Sequence, residues 1–181
     1  MQSPSLSPPR ELEAPYVKLM LDVMGRAFEA ATQIDEPIRK HIAPFPPGYL
    51  FEMGCLPDGP AMVLEKQADG SMSYLGSTRP RKTNLSIRFK HVSLAFLVLS
   101  FQESTARAFA NDRAVLDGEV ADAMKIVRCL NRLEAFILPK VVAERAVKRY
   151  PDNLALQEKV LNGARIYAQT AVNFIKGVVR G

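Results

Sequence analysis

Residues 84–132 read NLSIRFKHVSLAFLVLSFQESTARAFANDRAVLDGEVADAMKIVRCLNR. Leu85, Ile87 and Phe89 alternate with Ser86, Arg88 and Lys90. That period of two predicts a half-buried strand with a basic outer face. The run Val92 to Phe101 is almost wholly apolar. Periodicity alone allows helix or strand there. Helix is preferred, because parallel or distant strands need a crossover. Arg107 to Leu116 reads as another strand, and Asp117-Gly118 turns it into a helix over Val120 to Ile137. On that helix Val120, Ala123, Met124, Val127 and Leu130 share one face, and Asp122, Lys125, Arg128 and Arg132 the other. Asn131 and Glu134 then swing onto the apolar side.

Working outward, Tyr16 to Ile34 carries apolar residues at spacings of three and four, a helix. Pro37 ends it or restarts a short turn through Ile38 to Ile42. APFPPG (43–48) is a stiff connector. Tyr49 to Cys55 and Ala61 to Lys66 read as strands around LPDGP, a hairpin signal. ADGS (68–71) is a second turn, leading into a weak strand at Met72 to Leu75. STRPRKTN is a polar, basic loop. Beyond Pro139 a basic helix spans Val141 to Arg149, and Tyr150-Pro151-Asp152 breaks the chain. A last helix from Leu154 to Val179 bears a stripe of Leu156, Val160, Tyr167, Ala171, Phe174 and Val178. Residues 1–9, rich in Ser and Pro, read as a disordered tail, and 10–181 as one domain. The expected class is α+β, with a mixed, mainly antiparallel sheet of about five strands.

Hydrophobic residues make up 48 % of the 181 and charged residues 24 %, the balance of a soluble globular chain. A net charge of +5, no Trp and no Arg/Lys tract among aromatics exclude a nucleic-acid signature. Cys55 and Cys129 lack the number and spacing of a disulfide framework or metal site. The N-terminus MQSPSLSPPRELEAP has no cationic start before an apolar run, and no apolar run nears the roughly twenty residues that span a bilayer. The expected compartment is cytoplasmic. His41 and His91 lie far apart outside any metal-ligand spacing, and His91 at a strand–helix junction suits a capping or surface role. No nucleophile elbow, phosphate loop, dinucleotide fingerprint or H-E-x-x-H motif occurs. No catalytic residue, cofactor or metal is therefore expected, and the chain reads as a non-enzyme. Arg79, Arg81, Lys82, Arg88 and Lys90 form a basic cluster that Lys140, Arg145, Lys148 and Arg149 could extend. A solvated face is its plain reading, and transient docking on an anionic membrane surface the sharper one.

The segment Leu85 to Leu130 resembles the sterol carrier protein type 2 domain, and the likeness extends more loosely over residues 49–137. It rests on the strand LSIRF, the short helix SLAFLVLSF, and AFANDRAVLDGEVADAMKIVRCL. Ala108-Phe109, Asp112-Arg113, Gly118 and Ala123-Met124-Lys125 carry the family spacing. The family commonly has Gly where Asn111 or Asp112 stands, and this chain adds long helices at both ends. The resemblance implies a five-stranded mixed sheet with helices on one face. It also implies an apolar cavity for a fatty acyl chain, acyl-CoA, sterol or isoprenoid lipid. Phe96, Leu97, Leu99, Phe109, Met124, Val127 and Leu130 would line that cavity, with Asn131 and Glu134 at its rim. The same side chains would equally fill a packed core, since unfilled volume is not written in a sequence. The leading expectation is non-catalytic binding or transfer of a hydrophobic ligand. The alternative is an accessory or scaffold subunit of a lipid or quinone biosynthesis assembly. A homodimer or an enzyme partner is compatible with either.

Overall fold

The computed structural model describes residues 10–80 and 82–137. Helix α1 (Arg10–Ile34) and helix α2 (Glu36–Ile42) precede strands β1 (Leu50–Cys55), β2 (Ala61–Lys66), β3 (Met72–Gly76) and β4 (Leu85–Phe89). Helices α3 (Val92–Leu99) and α4 (Thr105–Ala110), strand β5 (Ala114–Asp117) and helix α5 (Val120–Ile137) follow. The strands form one sheet in the order β3-β2-β1-β4-β5. Only β1 and β4 run parallel; the other neighbours are antiparallel. The fold is thus the α+β class the sequence predicts. The tail at 1–9 and the helices expected at 141–149 and 154–179 lie outside the described residues, with Arg81.

Helix α1 starts earlier than its periodicity suggests and runs through Pro15, whose missing N–H forfeits one turn bond. Packing outweighs that loss: Val17, Leu21, Phe28 and Ala31, at spacings of three and four or their sums, are fully buried. They join Met62, Leu64 and Met72 of the sheet in the core. Asp35 breaks the helix and caps α2, accepting from the Ile38 amide at 3.0 Å. Leu85, Ile87 and Phe89 all point into the core, as their alternation requires. Helix α3 is present, but not as a crossover, because it joins β4 to its antiparallel neighbour β5 through α4. Its apolar side chains pack instead on α1, with Phe96 edge-to-face against Tyr16 at 5.1 Å. His91 stands at its N-cap with an exposed side chain that makes no capping bond.

Two expectations are corrected. Arg107 to Leu116 is not one strand: Ser104 accepts from the Arg107 amide and starts helix α4, so pairing is left to Ala114–Asp117. Alanines at 106, 108 and 110 favour that helix over a strand. Nor is the outer face of β4 a solvated basic surface. Ser86 is buried, and Arg88 pairs with the fully buried Glu52 of β1 through two bonds of 3.1 and 3.0 Å. Arg79 reaches the same carboxylate at 3.1 Å, and also donates to the Cys55, Pro57 and Gly59 carbonyls. Lys90 is paired with Asp112. The cluster is therefore largely consumed by internal pairs.

Candidate functional site

The chain between α3 and α5 builds one wall of a groove. Ala108 anchors α4 in the core while Thr105, Ala106 and Phe109 line the groove, Phe109 half-buried against the core. Asp112 then takes the left-handed backbone, φ +56°, and turns the chain into β5. Glycine most often fills that conformation, and aspartate is among the few other residues that adopt it. Buried Glu103 braces the turn by accepting from Asn111 at 3.0 Å and Arg113 at 2.7 Å. At Gly118, φ +126°, a Cβ would sit 2.7 Å from the Asn84 carbonyl oxygen, so only glycine lets β5 pass so close to β4 before α5 begins.

Helix α5 supplies the opposite wall. Its core stripe is Ala123, Ile126, Cys129, Leu130 and Leu133. A neighbouring stripe of Val120, Met124, Val127 and Asn131 faces α4 and Leu116. Between them lies a groove of about 730 Å³. That falls within the roughly 300–1,000 Å³ of small-molecule sites. Val120 is 65 % and Met124 51 % exposed, so the apolar floor opens to solvent. Thr105, Asn131, Arg128 and Arg132 give it a polar end. Arg132 is engaged by Asp35 at 2.8 and 2.9 Å, whereas Arg128 makes no side-chain hydrogen bond or ion pair among the described residues. Burial, and then Arg128 and Arg132, depress the pKa of nearby His41 and favour its neutral form.

The expected site residues divide. Phe109, Met124, Val127 and Asn131 line the groove. Phe96, Leu99 and Leu130 are packed in the core, and half-buried Leu97 lies outside the lining. Glu134 is half-buried beyond the groove's end; burial pushes its carboxyl up to about 7. The expected site list missed Thr105, Ala106, Leu116, Val120, Ala123, Arg128 and Arg132, although Val120 and Ala123 were read on the apolar face of α5. Leu116 was legible as a strand residue beside Phe109, but Ala106 required helix α4.

Among the described residues no cluster of His, Cys, Asp or Glu could hold a metal. Burial pushes the Cys55 thiol up to about 11 and Cys129 up to about 12, leaving both protonated near neutral pH. No helix among the described residues is long and apolar enough to cross a membrane.

No family model and no curated protein matches the chain. Solved structures do resemble it. One is titled UbiJ-SCP2 ubiquinone synthesis protein: 11 % identity, 70 % of this chain and 99 % of that one covered, TM-score 0.41. Another is sterol carrier protein 2 from Yarrowia lipolytica in its apo form: 13 % identity, coverage 64 % and 89 %, TM-score 0.44. A third, palmitated SCP2L2 from Aedes aegypti, shows 8 % identity, coverage 61 % and 93 %, and TM-score 0.41. The chain is similar in fold to these sterol carrier protein 2 domains.

Proposed function

We propose that the protein binds or transfers a hydrophobic ligand without catalysing a reaction on it. The carrying observation is the α4–β5–α5 groove, where Phe109, Leu116, Val120, Met124 and Val127 expose apolar surface over about 730 Å³. A contiguous apolar surface of this kind costs free energy in water and is stabilised by a ligand that covers it. Burial supplies roughly 25 cal/mol per Å² of ligand surface, so a single acyl or isoprenoid chain is held reversibly. Met124 adapts to chains of different shape. Arg128 and Asn131 at the polar end would orient a ligand with a polar head. The residue pattern shared with sterol carrier domains over Leu85 to Leu130 supports the same reading.

The test is native mass spectrometry of the purified full chain, with organic extraction of what it retains and titration of the delipidated protein with a fluorescent fatty acid. The expected result is a retained lipid and saturable binding that Met124→Trp removes. Binding indifferent to Met124→Trp and Val127→Trp would overturn the groove as the site. Retention of an enzyme in place of a lipid would favour an accessory subunit.

A further inference from the structure

A second cleft lies at the opposite edge of the sheet, between the β2–β3 turn and the junction of α1 with α2. Its volume is about 510 Å³, and Thr32, Gln33, Arg39, Lys66, Asp69 and Ser71 are among its polar side chains. Lys66, the last residue of β2, is only 4 % exposed. A lysine so buried ordinarily has a carboxylate partner. Among the described residues the Lys66 ammonium donates to one neutral acceptor, the Gly70 carbonyl, and makes no ion pair. Its desolvation is only partly offset by the charge of Asp69, whose Oδ1 already accepts from the Ser71 amide and hydroxyl. Arg39 also lines the cleft and makes no side-chain hydrogen bond or ion pair among the described residues. Thr32 is spent within the fold, donating to the Glu29 carbonyl and accepting from the Met72 amide. The lining thus presents two under-used cations against one carboxylate, whose Oδ1 is already taken.

We propose that this cleft binds a phosphate-type anion between Lys66 and Arg39, independently of the lipid groove. A tetrahedral oxyanion would take the remaining Lys66 donors and the planar fork of Arg39, while Gln33 offers an amide donor. The shared chemistry is a phosphate group, which a free phosphorylated compound or a lipid headgroup could bring.

The full chain is titrated with inorganic pyrophosphate at low ionic strength, following the Gly70 and Ser71 amide resonances, and sedimented with phosphatidic acid vesicles against phosphatidylcholine ones. Arg39→Gln, on an exposed side chain, and Lys66→Met, which keeps the turn packed, are compared with wild type. Loss of one charge-assisted contact is expected to weaken binding by roughly tenfold. Pyrophosphate binding that both variants weaken supports a free phosphate ligand. Phosphatidic acid sedimentation that both variants weaken supports a headgroup. Binding of neither probe, or binding that both variants leave unchanged, overturns the proposal. Amide spectra of each variant without ligand verify that the turn is intact.

Discussion

Arg132 on α5 grips Asp35, between α1 and α2, with two parallel bonds of 2.8 and 2.9 Å, although 97 positions separate them. Asp35 is 1 % exposed and simultaneously caps α2. One carboxylate therefore fixes the α1–α2 corner and sets the orientation of the helix that walls the groove. Asp35→Ala is expected to cost about 3 kcal/mol, since removing one partner strands a partly buried guanidinium and deletes a cap. Urea unfolding measures it; a loss under about 1 kcal/mol would show that the pair orients α5 without stabilising it.

The groove and the core respond differently to the same substitution. Met124 is 51 % exposed and Leu130 3 %. Met124→Trp is expected to leave the unfolding midpoint nearly unchanged and cut fatty-acid binding by about tenfold or more, by filling the space a chain would occupy. Leu130→Trp is expected to cost about 1–3 kcal/mol through overpacking. If Met124→Trp unfolds the chain while binding persists in the folded remainder, α5 does not wall the ligand site.

Period-two and period-three-to-four patterns were legible wherever one face meets the core. Leu85, Ile87 and Phe89 show this for β4, and Val17, Leu21 and Phe28 for α1. The Asp-Gly turns at 69–70 and 117–118 were equally legible, because Gly70 and Gly118 occupy positive φ, whereas the hairpin at Asp58-Gly59 forms without Gly59 in that region. Helix α4 was not, since its six residues are too few to display a period and Ser104 is one capping signal among many serines. At the site, periodicity identified the apolar side of α5 but could not divide it into the stripe that meets the sheet (Leu130) and the stripe that meets α4 (Met124). That division depends on where α4 lies, a tertiary fact. The outer face of β4 misled for a related reason. Alternation marks Arg88 as facing away from the main core, but only the parallel register with β1 brings it to Glu52.

Glu134 makes stability depend on pH. Burial raises its folded-state pKa from 4.5 to about 7. Near pH 4 the carboxyl is mostly protonated in folded and unfolded chains alike, and the penalty is small. As pH rises from 4.5 toward about 7, the unfolded chain releases this proton first, so stability falls. Above that range the penalty is constant. Glu134→Gln is expected to raise stability by about 2 kcal/mol near pH 8 and to change it little near pH 4. Urea midpoints of wild type and variant at the two pH values test this. An equal effect at both would assign the change to packing.

Charge reversal separates the two cations at the end of β4. Lys90 pairs with Asp112, which is 86 % exposed, whereas Arg88 pairs with Glu52, which is fully buried. Lys90→Glu is expected to shift stability by less than about 1 kcal/mol, the range of surface pairs. Arg88→Glu sets a second carboxylate against the buried one, where Arg79 alone must balance both. The expected cost is about 3 kcal/mol or more, because a buried charge loses its bidentate partner and gains a repulsive neighbour. Glu52→Gln added to Arg88→Glu removes one of the two charges and should recover part of the loss, a coupling that a double-mutant cycle reads directly. If Arg88→Glu is as mild as Lys90→Glu, then Arg79 holds Glu52 by itself and Arg88 belongs to the solvated surface after all.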